Sequence, residues 1–205
     1  MPILNRARRA IGKRWYALKP TDRLIELVAD QRNSESAAVL IEALKERRAH
    51  QDGSLDHLDW SLVRLNGALL SSCRLKNARF SGAQLRGAYF GYSDACSADF
   101  SGSDLREANL REARLTDAVF DGADLRFANF ARAMLRGSSF VGANMANANL
   151  WGADLRGANL TNASMAGCEV FNVALDAATI LPDGKAGADA SRLRQFIRAK
   201  PSVRD

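Results

Sequence analysis

Two histidines and three cysteines are all that the 205 residues offer toward metal ligation or nucleophilic chemistry. His50 and His57 stand seven positions apart, and no cysteine or carboxylate cluster accompanies them at zinc spacing. Catalysis needs titratable groups converging on a pocket. The pattern therefore predicts no enzyme, no metal, no cofactor and no small-molecule substrate. The chain also lacks any run of about 18 apolar residues, which excludes a membrane-spanning helix. Its first 20 residues hold six basic groups and no acid, and they lack the roughly 7–15-residue apolar core of a secretory signal. Few cysteines and no signal lead to the expectation of a reducing, cytoplasmic location.

What the chain has instead is a period. From Leu55 to Ile180 each position numbered in multiples of five is apolar, 26 in succession. Two residues before each of these centres sits a second small or apolar residue, such as Ala78, Ala83, Ala88 and Ala108, with Ser93, Ser103 and Ser138 as polar exceptions. Between the two lies a mostly polar residue, as at Asp104, Asn109, Asp124, Asn149, Asp154 and Asn159. Two residues after the centre Gly is favoured, as at Gly82, Gly102, Gly122, Gly142 and Gly152. A period of five fits neither the 3.6 of a helix nor the 2 of a strand. Small–polar–large is one strand-like alternation, and the two residues after it suit a turn. Such a unit cannot bury its apolar residues alone, so it must stack on copies of itself.

The run Ala153-Asp154-Leu155-Arg156-Gly157-Ala158-Asn159-Leu160 resembles the tandem A-(D/N)-L-x-x motif of the pentapeptide-repeat proteins. The resemblance implies an all-β solenoid, a right-handed quadrilateral β-helix with four pentapeptides to each 20-residue coil. It also implies a comparison, because some members resemble duplex DNA in width and charge and bind DNA gyrase or topoisomerase IV. Those members are strongly acidic along the rod and often interrupted by loops, whereas residues 51–182 here carry 12 basic and 14 acidic groups without a break.

Arranged at period 20, Trp60, Phe80, Phe100, Phe120, Phe140, Leu160 and Ile180 fall in one column, and Phe90 and Phe130 belong to the opposite face. These rings are the predicted structural core. At about 4.8 Å per coil the rod should be roughly 30 Å long. Ala95 is the one thin centre, expected to leave a small void or a shifted neighbour. Cys73 and Cys168 take inward small-residue positions and Cys96 points outward. None can meet another within one chain, since bridged Cα atoms lie within about 7 Å. Gly152 and Gly157 have the two-glycine spacing of a phosphate loop, but Ala158-Asn159 follow where Lys and Ser/Thr are needed.

Three segments are expected: a basic helical cap over 1–50, the β-helix over 51–182, and a turn with a capping helix over 183–205. Residues 21–30 and 34–49 have the apolar spacing of two helices, and 190–200 that of a short third, offering Leu193, Phe196 and Ile197 to the last coil. Residues 2–20 place Ile3, Leu4, Ala7, Ile11, Trp15 and Leu18 at helical spacing among Arg6, Arg8, Arg9, Lys13, Arg14 and Lys19. Such a helix either caps the rod or meets an anionic membrane or nucleic acid. On the rod, Arg86, Arg106 and Arg126 stack on one face and Arg136 and Arg156 on the next, a candidate anion- or partner-binding strip unless Asp104 and Asp124 answer them. The functional expectation is a structural module that presents a rigid rod to a protein partner, a second copy of the chain included. The alternatives are a DNA mimic that binds gyrase and a scaffold tethered through residues 2–20.

Overall fold

The computed structural model describes residues 49–198. The expected helix over 21–30, all but the last residue of the one over 34–49, and the basic segment 2–20, with Arg6, Arg8, Arg9, Lys13 and Arg14, lie outside the described residues. So does Lys200. A short helix α1 (Ala49–Asp52) leads into the first coil, and α2 (Ala190–Arg198) follows the last.

Between them the chain winds into a solenoid whose coils consume 20 residues. Parallel bridges pair Asp59 with Arg79, Arg79 with Asp99, Asp99 with Val119, and so on along each of four faces, one residue per unit. No run of bridges is long enough to make an extended strand. Each unit keeps only the small–polar–large triplet extended and then turns.

The hydrogen bonds explain why the period is five. The N–H of a centre donates to the coil above, as Phe80 does to the Asp99 carbonyl at 2.6 Å, and Asp99 returns a bond to the Ala78 carbonyl at 3.0 Å. The residue two after the centre donates upward too, as Gly82 does to the Ser101 carbonyl at 2.8 Å. Ala83 then donates back to the Phe80 carbonyl at 3.0 Å and closes the β-turn. The corner residue lies in the left-handed region at φ near 60° in nearly every unit, which favours glycine; Gly102 (φ 62°) obeys, while Leu62 and Phe127 occupy the same conformation at φ 60°.

One backbone N–H per unit is left over, that of the residue just after the centre. The outward polar residue two positions earlier takes it. Asp99 accepts from Ser101 N–H at 2.9 Å, Asn109 from Arg111 at 3.0 Å, and Asn149 from Trp151 at 2.8 Å. This is the Asx-turn bond that suits Asp and Asn to the position. In three units where the residue there is another type, the coil below supplies the oxygen: Asp56 accepts from Lys76, Asn66 from Arg86 and Asp121 from Val141.

The interior is a column of packed rings. Phe80, Phe100, Phe120 and Phe140 stack with centroids 5.0, 5.0 and 4.9 Å apart and planes within 6°. Phe90 enters from the opposite face and meets the edges of Phe80 and Phe100 at 5.8 and 5.6 Å; Phe130 does the same to Phe120 and Phe140. Both geometries are favourable for aromatic quadrupoles. Trp60 closes the column at the first coil, its ring at 87° to that of Phe80. Ala95 is fully buried. Cys73 and Cys168 are buried and Cys96 half-buried.

The last turn corrects the reading of Ile180 as a centre. Asn159 bridges Ile180, 21 residues away instead of 20, so Ile180 takes the outward bridging position, Thr179 the inward small one, and fully buried Leu181 becomes the centre. The extra residue is accommodated by Asp176, whose Oδ1 accepts from the N–H groups of Gly157, Ala178 and Thr179 and from the Thr179 hydroxyl. Beyond it the chain turns back so that Ile180 pairs antiparallel with Ala186, and α2 folds over the rim with Leu193 buried and Phe196 and Ile197 packed on the core. Asp189 caps α2 by accepting from Ser191 N–H at 2.7 Å.

Candidate interaction faces

The four faces are named by their centres: I (Trp60, Phe80, Phe100 and onward), II (Leu65, Leu85, Leu105), III (Leu70, Phe90, Leu110) and IV (Leu55, Leu75, Ala95). Because each outward residue repeats 20 positions later, each face is a lattice whose rows are coils.

Face II carries Arg86, Arg106 and Arg126, as the period predicts. Arg136 and Arg156, expected on the next face, belong to face IV on the opposite side, because ten residues are half of a 20-residue coil. The two sets do not form one strip. Arg106 clamps Asp104 with two bonds of 2.7 and 2.6 Å, and Arg126 clamps Asp124 with 2.9 and 2.7 Å. Arg106 also lies 3.7 Å from Asp124 in the next coil. Arg86 reaches Glu107 at 2.6 Å. On face IV, Arg156 and Arg136 share the Asp154 carboxylate at 2.6 and 2.7 Å. All five arginines are therefore paired, in exposed bonds of the kind that adds little to stability.

The pairing marks the carboxylates. The bond from Arg156, with help from Arg136, holds the Asp154 carboxyl below the usual carboxylate range against the opposing effect of partial burial. The bond from Arg106 lowers that of Asp104 in the same way. Burial, together with a hydrogen bond to Asp94, raises the Cys96 thiol above its ordinary value. Burial alone pushes Cys168 up to about 12. Among the described residues no three His, Cys, Asp or Glu side chains gather at metal-binding range. His57 is an exposed corner residue.

The family model for pentapeptide repeats matches residues 64–102, 103–140 and 138–173, in 8 copies. The chain belongs to the pentapeptide-repeat family. No curated protein matches it. Among solved structures, this pentapeptide-repeat protein is similar to HetL, involved in heterocyst differentiation regulation in the cyanobacterium Nostoc sp. strain PCC 7120, at 24% identity over 71% of this chain and 98% of that one, with a TM-score of 0.38. Full-length QnrB1, a plasmid-mediated fluoroquinolone resistance protein, is 21% identical over 68% of this chain and 85% of its own, with a TM-score of 0.36. A pentapeptide-repeat protein of the Arabidopsis thaliana thylakoid lumen is 35% identical over 47% of this chain and 63% of its own, with a TM-score of 0.28.

Face III was missed at the level of sequence. Of the seven large hydrophobic residues exposed among the described residues, Leu69, Tyr89, Tyr92 and Phe171 lie on this face and Phe127 stands on its edge. Trp151, half-buried, lies beside them under the Arg132 guanidinium, 4.8 Å from its ring centroid. Down the middle runs a column of Asn109, Asn129 and Asn149, each with its Oδ1 bound to its own turn. The signal was present: these are the large apolar residues that fall off the multiples of five.

Proposed function

We propose that this pentapeptide-repeat protein is a non-enzymatic interaction module that presents its rod to a protein partner, and that face III is the surface it presents. The observation that supports the reading is the concentration of Leu69, Tyr89, Tyr92, Phe127 and Phe171 on or beside one face of four. Single exposed apolar residues need no explanation, but five of seven falling on or beside one face of four do. Aromatic residues are also the type enriched at interfaces.

Faces II and IV are poorer candidates. Their arginines are answered within the chain, so an anion or an acidic partner would have to displace Asp104, Asp124, Asp154 or Glu107. The same alternation lends no support to a gyrase-binding DNA mimic, for which a continuous acidic strip is the requirement. A tether to an anionic membrane or nucleic acid through residues 2–20 stands as a separate proposal, and its signature is binding that weakens steeply with salt.

The test compares capture of proteins by the immobilised full chain with capture by a Tyr89→Ser, Tyr92→Ser, Phe171→Ser variant and by an Arg106→Ser, Arg126→Ser variant. Partners should be lost with the first and kept with the second. Undiminished capture by the first variant would sink the assignment to face III.

A further inference from the structure

We propose that face III is self-complementary and docks a second copy of the chain antiparallel, about a dyad midway between the coils of Asn109 and Asn129. The proposal rests on the reading of face III as the interaction surface and names its partner.

A two-fold contact sets the same patch of both subunits against itself. When two rods meet face to face and run in opposite directions, each residue keeps its lateral place within the unit, and only the order of coils reverses. The opposing residues can therefore be read from the lattice. The coil of Asn109 meets that of Asn129, and the coil of Tyr89 meets that of Asn149. Tyr92 then falls opposite the partner's Gly152, Trp151 opposite the partner's Gly91, and Arg111 opposite the partner's Ala131. In all three cases a large side chain meets a residue with a hydrogen or a methyl. At the remaining lateral position Glu112 faces the partner's Arg132, and by symmetry Arg132 faces the partner's Glu112. Within one chain Glu112 accepts from Arg111 at 3.1 Å and lies 3.9 Å from Arg132, and all three stay part-exposed, so the contact sets a further basic group beside a carboxylate that already holds one.

The central column fits as well. Asn109 meets the partner's Asn129, amide to amide. Each spends one Oδ1 lone pair on its own turn, which leaves two N–H donors and a second lone pair for the other chain. At the outer coils Leu69 meets the partner's Glu169 and Phe171 the partner's Ser71. Those contacts add area without selecting the register.

The parallel alternative reverses the lateral order instead of the coil order. Reversed about the Asn column, it would bring Tyr92 against the partner's Arg86 and Trp151 against the partner's Asn147, side chain on side chain, where the antiparallel arrangement offers glycine. Bulk thus selects the antiparallel arrangement.

Sedimentation equilibrium of the full chain over a rising concentration series is the experiment. The expected result is a mass that climbs from 22.3 kDa to its double. Arg132→Glu sets acid against acid twice across the dyad and should weaken the dimer by about tenfold or more. The Glu112→Arg, Arg132→Glu exchange restores opposite charges and should restore the dimer. Both positions are left-handed corners, at φ 57° and 58°, and a charged residue replaces a charged one; thermal unfolding of each variant checks that the rod is intact. A chain that stays monomeric throughout would overturn the proposal. So would a dimer indifferent to Arg132→Glu, or an exchange that fails to rescue. A monomer that still loses a foreign protein partner on Tyr92→Ser ends self-docking alone. Indifference of both assays to face III ends that reading too.

Discussion

Two stretches of this rod solve the same problem by different means. Over residues 55–174 each bridge joins positions 20 apart, and any coil is held by identical neighbours above and below. At the last turn the spacing becomes 21, the apolar alternation slips by one, and the bonds that the lattice would have supplied are gathered instead onto the carboxylate of Asp176. The regular stretch spreads its stability over repeated small contacts, each replaceable in kind. The irregular turn concentrates it in one residue with four donors. The difference teaches that the lattice itself, more than any side chain, holds the period, and that a departure needs a dedicated polar group.

That contrast can be broken most forcefully in the ring column. Phe120→Ala removes a ring stacked on both sides and met edge-on by Phe130, and should cost about 3–5 kcal/mol in denaturant unfolding. The loss should be felt by the whole rod, since the coils share one core. Asp176→Ala should do less to the unfolding midpoint and act locally. Amide exchange in residues 176–187 should accelerate while that of the Phe100 and Phe120 coils stays protected; equal acceleration in both would show that the last turn is no separate unit. The smallest effect sharpens the picture of the lattice. Ser103 and Ser138 donate to the carbonyls of Phe100 and Leu135, but the equally buried Ser93 hydroxyl has no partner. Ser93→Ala should therefore stabilise the fold by about 1 kcal/mol, while Ser138→Ala should be neutral or slightly destabilising. A loss of stability at Ser93 would contradict this.

The legible part of the fold was its inside. The multiples of five follow from the period, because burial on stacked coils leaves no freedom of phase; the column of Phe80, Phe100, Phe120 and Phe140 and the opposed Phe90 and Phe130 follow from the 20-residue coil that the family resemblance implies. The slip at the end was hidden because Ile180 and Leu181 are both apolar. A pattern of apolar residues does not say which of two neighbours faces inward. Only the bridge from Asn159 does. The role of the outward Asp and Asn was also out of reach, since it depends on a turn N–H left unused by the coils. Arg136 and Arg156 were set on the wrong side by counting ten residues as one face. Face III went unnoticed because attention to the regular positions treats Tyr89, Tyr92, Phe127, Trp151 and Phe171 as noise. The exceptions to a repeat carry its individuality.

One property of the 20-residue coil bears on how such rods change. Gaining or losing a single pentapeptide would keep all apolar residues indoors, yet swing everything downstream through a quarter turn, so that the tyrosines near the start and Trp151 further on would point in perpendicular directions. Only a step of four units would lengthen the rod and leave its outer pattern aligned. The odd residue at Asp176 is tolerable where it stands, with no further coil beyond it among the described residues to be thrown out of line.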